Sequence, residues 1–543
     1  MITIPIRGAF VLVLWLLVTI AIASPAQAQT VFRVTLAPGV LGDAPVVAGR
    51  LIVALAHEGA NISRRTSPLD APFWDDPQPI FGASVSMKPG EAVTVDDAAT
   101  FFASKPSALK PGRYRAAAWL VANQATSKWR GVPGNAYSEV VEFVVPEPPG
   151  VGGPVDITLA TATREPERRW RPGQVEEFVV RSALLSAFHG REVVLRAGVV
   201  LPAGGVQEGR RYPAVYHVPG FGGRHDEALS VRRAVARGDG DLDRNVLHIY
   251  LDPESPNGHT LFADSANNGP WNRALVEELI PALEKQYPLI SEPTARVLRG
   301  HSSGGWSVVW LGVNNPQTFG FAWSTAPDPV CFSRFQLVDI YRRANMFVPA
   351  PGEPVGPGDA AGADTPSYRR GGAMKMTIRQ EAGGEEVLGP DATSGQQWAS
   401  WQAVFGPRDD RGRIVELFDH VTGAINPAVL DHYRGYDITH LLRTRGDVVA
   451  DRLINHVRII VGDADNFFLE QACMALRDEL QPRIDARRAN GNTQEVPGGV
   501  IIVPGLDHGS VFGHPSVRRI PAEMLAYFRA AGHIPPAVDE PKP

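Results

Sequence analysis

The sequence has few of the residues and patterns that mark several large classes of protein. Only 2 of its 543 residues are cysteine, which is too few for a disulfide-stapled scaffold, and the two are not in metal-ligand spacing. The H-E-x-x-H, C-x-x-C and G-x-x-x-x-G-K-[ST] patterns are missing, so neither metal-assisted hydrolysis nor a P-loop has support. The net charge of −5 is mild, and no basic stripe with interleaved aromatic residues indicates nucleic-acid binding. We therefore expect no metal, no cofactor and no nucleic-acid partner.

Long apolar runs are also scarce. Beyond the N-terminal segment, no stretch is apolar enough to span a bilayer. In that segment, Arg7 precedes an apolar run at 10–22 and the small-x-small triplet A-Q-A at 26–28. This pattern predicts a secretory signal peptide over residues 1–28. We expect a secreted or periplasmic protein with no stable membrane insertion after cleavage.

The most informative motif is G-H-S-S-G at 300–304, which lies between apolar runs at 295–298 and 306–313. This order predicts a strand, a tight turn and a helix with Ser302 at the tip of the turn. A G-x-S-x-G nucleophile elbow requires this context, and its outer glycines avoid Cβ clashes where the strand and the helix approach closely. The sequence therefore predicts a serine hydrolase with Ser302 as nucleophile.

A histidine and an acid are predicted on loops that follow two later strands. The run V-R-I-I-V at 457–461 precedes G-D-A-D, which contains Asp463 and Asp465, and the run at 500–503 precedes P-G-L-D-H, which ends in His508. In hydrolases with this nucleophile elbow, the acid and then the histidine follow the serine along the chain. We predict His508 as general base and either aspartate as the acid. An ordinary loop histidine and a turn-capping aspartate pair are the alternatives.

A glycine-rich loop, P-G-F-G-G at 219–223, follows the strand-like run Y-P-A-V-Y-H-V at 212–218. Its three glycines allow the backbone to approach a substrate oxygen closely. Acyl-transfer enzymes with this elbow use one N–H donor after the nucleophile and one from a loop after an early strand. The backbone N–H groups of Ser303 and Phe221 are therefore the predicted oxyanion donors. A phosphate-binding loop is the alternative, although this loop lacks the dinucleotide pattern G-x-G-x-x-G.

Four segments of the chain, taken in order, resemble the esterase D/ferric enterobactin esterase family of α/β-hydrolases, also called the putative esterase family. They are Y-P-A-V-Y-H-V-P-G-F-G-G, G-H-S-S-G-G-W, G-D-A-D-N-F-F and G-L-D-H. The resemblance covers about 190–330 and 455–515. It implies Ser302 as nucleophile, His508 as base, and Asp465 as acid because it stands two residues before Phe467. Relatives usually carry histidine-glycine where this chain has proline-glycine at 219–220.

The domain organisation follows from changes in composition. Residues 29–146 contain short β-rich runs between proline, glycine, aspartate and asparagine clusters, which predict a small Ig-like β-sandwich. The segment 147–156 reads as a proline- and glycine-rich linker. In 157–543, β-rich runs alternate with helical patterns, which predicts an α/β-hydrolase domain with a doubly wound, mostly parallel sheet. Residues of about 330–455 interrupt this alternation. We predict that they form a lid or pocket wall over Ser302, or else a small packed subdomain.

These features predict an exported serine esterase that hydrolyses a carboxylic ester through an acyl-serine intermediate. The resemblance implies a small-molecule or oligosaccharide ester as substrate, namely an acylated carbohydrate, a feruloyl or acetyl ester, or a siderophore ester. A secreted serine peptidase, an acyltransferase, and a non-catalytic binding protein on an inactive hydrolase fold are the alternatives. In an oxidising compartment Cys331 and Cys473 could either pair or stay unpaired and buried. The sequence makes no prediction of oligomeric state.

Overall fold

The computed structural model describes residues 30–63, 66–70, 73–128, 130–147, 153–230, 240–349, 363–489 and 497–536. The predicted signal peptide at 1–28 lies outside these residues. Within them, no helix is both long enough and apolar enough to cross a membrane.

The first domain is a β-sandwich made of one nine-stranded sheet that curls around its own core. Its order is β4-β1-β9-β7-β6-β2-β3-β5, and β8 also pairs with β6; the strands are β1 (Val31–Leu36), β2 (Val47–His57), β3 (Ile80–Met87), β4 (Ala92–Val95), β5 (Thr100–Phe102), β6 (Gly112–Val121), β7 (Ala136–Ser138), β8 (Val141–Val145) and β9 (Pro154–Ala162). Successive side chains of a strand point to opposite faces. Leu51 and Val53 of β2 therefore face the sandwich core together with Phe32 of β1.

The first domain extends past its predicted end at residue 146. Strand β9 pairs in parallel with β1 and antiparallel with β7, and its alternate residues Val155, Ile157 and Leu159 are buried. Residues 154–156 of the predicted linker at 147–156, and the predicted start of the hydrolase domain at 157, were therefore wrong, because these positions belong to β9 of the first domain. Residues 148–152 of the predicted linker lie outside the described part of the chain. The proline- and glycine-rich composition concealed the strand, because proline is tolerated at the first position of a strand.

An eight-stranded sheet forms the centre of the second domain, in the order β10-β11-β13-β12-β18-β19-β22-β23. Every pair from β13 to β23 is parallel, and β11 runs antiparallel to both of its neighbours. The predicted α/β-hydrolase fold is confirmed. The strands of this sheet are β10 (Val175–Arg181), β11 (Val194–Val200), β12 (Ala214–Val218), β13 (Leu247–Leu251), β18 (Arg296–His301), β19 (Phe321–Thr325), β22 (Val457–Gly462) and β23 (Gly499–Val503), and three small hairpins contain β14 (Glu254–Ser255), β15 (Gly258–His259), β16 (Asp264–Ser265), β17 (Gly269–Pro270), β20 (Pro366–Arg370) and β21 (Ala373–Thr377).

Helices cover both faces of this sheet, which is why its strands are apolar throughout. In β18, Val297 packs into the cluster that contains Phe528, whereas Leu298 packs into the larger cluster on the other face. In the described part of this domain, the helices are Ala183–His189, Trp271–Arg273, the π-helical Ala274–Leu279, Ile280–Gln286, Ser303–Asn314, Ile378–Leu388, Gln397–Phe405, Leu430–Arg434, Ile438–Arg445, Asp447–Asn455, Leu469–Ala489, Pro515–Arg518 and Ile520–Ala530.

The segment 330–455 contains the β20–β21 hairpin and several of these helices, packed over the carboxyl ends of the central strands. Two of the predicted roles, a packed subdomain and a pocket wall, apply to its tryptophans. Trp398 is buried in the large core cluster, and Trp401 borders the cavity described below. Cys331 and Cys473 are both buried and unpaired.

Candidate active site

Ser302 stands at the turn between β18 and the helix Ser303–Asn314, with φ 57° and ψ −125°. This conformation is strained for a residue with a side chain, and such strain persists only when the surroundings hold it. Here the Ser302 N–H donates to Thr325 O at 3.0 Å, and the Ser302 carbonyl accepts from the Trp306 N–H at 3.0 Å. The backbone therefore fixes the serine at the tip of the turn.

The two glycines around this turn leave no room for side chains. A Cβ added at Gly300 would lie 2.1 Å from the Gly304 carbonyl oxygen, and one added at Gly304 would lie 2.0 Å from the Val218 carbonyl oxygen. Both are contacts with backbone, which cannot move aside. Because the strand and helix backbones approach so closely, both positions of the motif require glycine.

His508 and Asp465 lie on the loops that follow the neighbouring strands β23 and β22, and their side chains are in contact. The His508 Nδ1 is 2.7 Å from Asp465 Oδ2, and Asp465 is fully buried. Asp465 Oδ1 accepts the Phe467 N–H at 2.9 Å. Asp463 instead accepts the Gly505 N–H at 2.6 Å. Of the two aspartates left open by the motif, Asp465 is thus the one that contacts His508.

Acidic neighbours of His508 stabilise its charged imidazolium form against the opposing effect of burial. Burial lowers the pKa of His508, but the charge and hydrogen bond of Asp465, followed by the charges of Asp328 and Asp507, outweigh it and raise this pKa. The neighbouring His301 ring lies 4.4 Å from the His508 ring, centroid to centroid. Burial, with the charge of His508, lowers the pKa of His301 to about 3, so His301 is neutral.

Ser302 and His508 line one cavity of about 570 Å³. Among the described residues, the Ser302 hydroxyl makes no hydrogen bond with His508. In ligand-free enzymes such contacts are often long and tighten only when the substrate binds. The arrangement therefore presents a serine hydroxyl and an imidazole to the same enclosed space.

The glycine-rich loop borders this cavity beside the serine. A Cβ added at Gly220 would lie 3.3 Å from Ser302 Cβ, so the loop backbone touches the serine side chain. Phe221, the next residue, lines the cavity, and Ser303 is the buried first residue of the elbow helix. Both predicted oxyanion donors thus belong to backbone next to Ser302.

A histidine that the motifs did not reveal holds this loop in position. His259 Nε2 lies 3.0 Å from the Pro219 carbonyl oxygen, and its Nδ1 accepts the Leu261 N–H at 3.0 Å. Burial lowers the pKa of His259 to about 4, so the ring is neutral and donates from Nε2. His259 lies in a two-residue strand of a small hairpin, and no local sequence pattern pointed to it.

Residues 192–405 match the model of the putative esterase family. That segment, which is less than half of the chain, is similar to the family. The segment contains Phe221, Ser302 and Ser303 and ends before Asp465 and His508. The protein is therefore a hydrolase that acts on carboxylic esters.

Several solved structures are similar to this esterase at low identity. A ferulic acid esterase from Anaeromyces mucronatus is 14% identical, with 65% of this chain and 93% of that chain covered and a TM-score of 0.29. An S-formylglutathione hydrolase from Agrobacterium tumefaciens is 13% identical, with 67% and 98% covered and a TM-score of 0.32. A fluorophosphonate-binding serine hydrolase from Staphylococcus aureus is 12% identical, with 65% and 99% covered and a TM-score of 0.34. No curated protein matches the chain.

The first domain supplies one wall of the esterase cavity. Ile52 and Ala54 alternate along β2 with the residues that face the sandwich core, and they line the cavity together with Ile80. Trp74 also lines it, and its ring lies 5.3 Å from that of Phe467 on the loop after β22. The strand β2 is therefore buried on both faces, and the sandwich takes part in forming the pocket.

A buried carboxyl group lies beneath the elbow. Asp328, which follows β19, accepts hydrogen bonds from Ser303 Oγ at 2.6 Å and from Trp401 Nε1 at 2.7 Å. Burial raises the pKa of Asp328 to about 6. Its position after a central strand, like that of Asp465 after β22, was a signal that could have identified it.

Within the described part of the chain, no group of three or more histidine, cysteine, aspartate or glutamate side chains is arranged to hold a metal ion.

Proposed function

We propose that this protein is an exported serine esterase that hydrolyses its substrate through an acyl-serine intermediate. The observation that carries the proposal is the 2.7 Å contact between His508 Nδ1 and Asp465 Oδ2, at the cavity that Ser302 also lines. The pattern at residues 1–28 supports export.

In the first half-reaction, His508 Nε2 accepts the proton of Ser302 Oγ as this oxygen attacks the ester carbonyl carbon. Asp465 binds Nδ1–H, so Nε2 is the ring nitrogen left to face the serine, and the carboxylate stabilises the imidazolium. The N–H groups of Ser303 and Phe221 donate to the oxyanion of the tetrahedral intermediate. The imidazolium then gives its proton to the departing alkoxide.

In the second half-reaction, water attacks the acyl-serine carbonyl while His508 accepts a proton from it. Collapse of the second tetrahedral intermediate releases the carboxylic acid, and the proton returns from His508 to Ser302 Oγ. We infer a small-molecule or oligosaccharide ester as substrate. Acylated carbohydrates, feruloyl and acetyl esters, and siderophore esters are the candidates from the family resemblance.

The proposal is tested by labelling the mature protein with a fluorophosphonate probe and mapping the adduct by mass spectrometry. We expect one adduct, on Ser302, and hydrolysis of p-nitrophenyl esters without cleavage of a matched peptide panel. A protein that is neither labelled on Ser302 nor active on esters would be a binding protein. Preferential peptide cleavage would indicate a peptidase, and ester product formed only with added sugar acceptors would indicate an acyltransferase.

Replacing Asp328 by asparagine is expected to shift the acidic limb of the pH profile of kcat/KM to lower pH. The negative charge of Asp328, present above its pKa of about 6, raises the pKa of His508. Asparagine can still accept from Ser303 but carries no charge, so His508 loses its proton at lower pH. Because the base acts only when neutral, kcat/KM rises with pH through the His508 pKa.

This shift is measured from kcat/KM for p-nitrophenyl acetate across the acidic range. Asp431→Asn, which removes an exposed carboxylate, is the matched control and should leave the limb where it is in the wild type. An acidic limb that stays in place or moves to higher pH in Asp328→Asn would contradict the assigned coupling.

A further inference from the structure

A loop of the first domain, between β6 and β7, contacts the glycine-rich loop of the active site. On this loop, Lys128 Nζ donates to the Gly222 carbonyl oxygen at 2.5 Å. The two preceding residues anchor it to the hydrolase domain. Thr126 Oγ1 donates to Glu254 Oε1 at 2.6 Å, and Ser127 donates to the same oxygen from its N–H at 2.9 Å and from its hydroxyl at 2.6 Å. Lys128 therefore reaches the glycine-rich loop from an anchored position.

The glycine-rich loop itself is a β-turn. The Gly220 carbonyl oxygen accepts the Gly223 N–H at 2.9 Å, and Gly222, the third residue of the turn, has φ 78°, as a type II turn requires. In a trans peptide group the carbonyl oxygen and the N–H point in opposite directions. The Gly220 carbonyl oxygen points into the turn. The Phe221 N–H, which belongs to the same peptide group, therefore points out of it.

Two peptide groups in series connect Lys128 to the Phe221 N–H. The first contains the Gly222 carbonyl and the Gly223 N–H, so Lys128 binds its oxygen while its N–H binds the Gly220 carbonyl. The second contains that Gly220 carbonyl and the Phe221 N–H. Because hydrogen bonds in a chain polarise one another, a positive charge at Lys128 makes the Phe221 N–H a stronger donor. The same two contacts also fix the direction of this N–H.

Carboxylates around Lys128 favour its charged form. Burial lowers the pKa of Lys128, and the charge of Arg224 acts in the same direction. The charge of Glu254, followed by those of Asp226 and Asp252, opposes this decrease. Three carboxylates thus stabilise an ammonium group at the start of the peptide chain.

Attachment of the first domain does not depend on the lysine alone. The segment is also held by Glu254, and the Ser127 N–H lies 3.2 Å from the Ser255 carbonyl oxygen. The hydrolase domain fixes the other end of the glycine-rich loop, where His259 contacts the Pro219 carbonyl oxygen. What Lys128 adds is the contact with the peptide group that leads to the predicted oxyanion donor.

We propose that Lys128 of the first domain is a positioning residue of the oxyanion site, which orients and polarises the Phe221 N–H through the two peptide groups. The proposal rests on the proposed function, because it concerns an oxyanion donor of the same site. It gives the first domain an effect on the chemical step as well as a wall of the cavity. The negative charge on the substrate oxygen develops in the transition state, so the effect falls on kcat rather than on KM.

Replacing Lys128 by methionine removes the charge and the donor while keeping a long side chain. Loss of a whole oxyanion donor costs about 10²- to 10³-fold in kcat. Here the N–H stays and loses its support, so we expect kcat for p-nitrophenyl acetate to fall about tenfold with KM unchanged. A phenethyl trifluoromethyl ketone, which forms a tetrahedral oxyanion adduct with the serine, should bind about tenfold more weakly. The corresponding methyl ketone should bind as it does to the wild type.

The matched control variant is Lys88→Met, which removes an exposed lysine of the same domain that pairs with Glu91. It should keep the wild-type kcat and both inhibition constants. A wild-type kcat in Lys128→Met, a change confined to KM, or equal weakening of the two ketones would overturn the inference. A wild type that neither hydrolyses the ester nor is labelled on Ser302 would instead contradict the proposed function.

A second variant, Lys128→Cys, covers the case in which Lys128→Met does not fold. A cavity of about 380 Å³ borders Lys128 and Gly222, so small reagents reach residue 128, whereas Cys331 and Cys473 are buried. Alkylation of the folded variant with bromoethylamine restores an ammonium group at the length of lysine, and bromoethanol gives a neutral side chain of equal length. Mass spectrometry confirms each product, and the wild type treated in the same way is the control.

We expect bromoethylamine to raise kcat of Lys128→Cys towards the wild-type value and bromoethanol to leave it low. An unchanged kcat after treatment with bromoethylamine, or equal recovery with the two reagents, would also overturn the inference.

Discussion

Replacing Ser302 by alanine is expected to lower kcat for ester hydrolysis by about 10³-fold or more. This variant lacks the proposed nucleophilic hydroxyl, whereas the proposed oxyanion donors are backbone N–H groups and remain. Replacing His508 by alanine should cost about as much. The double variant should be no slower than either single variant, because side chains that act as one unit are not additive.

The measurement is kcat for p-nitrophenyl acetate, with circular dichroism to show that each variant is folded. Ser291→Ala, at an exposed serine, is the matched control and should keep wild-type kcat. A folded Ser302→Ala protein with more than a tenth of wild-type kcat would rule out the acyl-serine route.

Replacing Asp465 by asparagine is expected to lower kcat by roughly 10³- to 10⁴-fold. An asparagine that turns its amide group toward His508 donates to Nδ1 instead of accepting from it, which favours the wrong tautomer. Any orientation also removes the charge that stabilises the imidazolium.

The neighbouring Asp463 provides the matched control. Its carboxylate accepts the Gly505 N–H, so Asp463→Asn should alter loop stability and leave kcat within a few fold of the wild type. The comparison uses the same assay and the same check of folding. A larger loss in Asp463→Asn than in Asp465→Asn would show that the acid had been assigned to the wrong residue.

The parts of the site that lie in short local motifs were predictable from the sequence. The elbow requires glycine at 300 and 304 because the strand and helix backbones are in contact there. The five-residue motif at 300–304 is sufficient to show this requirement. The loops after β22 and β23 could be recognised because parallel strands are buried on both faces and therefore read as apolar runs. The contact between His508 and Asp465 requires these two strands to be neighbours in the sheet, as they are. The family resemblance implied Asp465 as the acid, whereas the residues alone left Asp463 and Asp465 open.

The parts formed by contacts between distant segments were not predictable. The wall supplied by β2 depends on packing between two domains, and an apolar strand does not reveal what covers its second face. Strand β9 was hidden by the composition around Pro154. Glu381, a buried residue of the cavity lining, carried a signal that was not used, because it lies on the buried face of its helix beside Ile378 and Ala382.

The most direct test of the central claim is a crystal structure of the fluorophosphonate adduct. We expect phosphorus bonded to Ser302 Oγ, and a phosphoryl oxygen about 3 Å from the backbone nitrogens of Ser303 and Phe221. His508 Nε2 should face the adduct, with Nδ1 still bound to Asp465. An adduct on another residue, or an imidazole directed away from Ser302 in the adduct, would contradict the account.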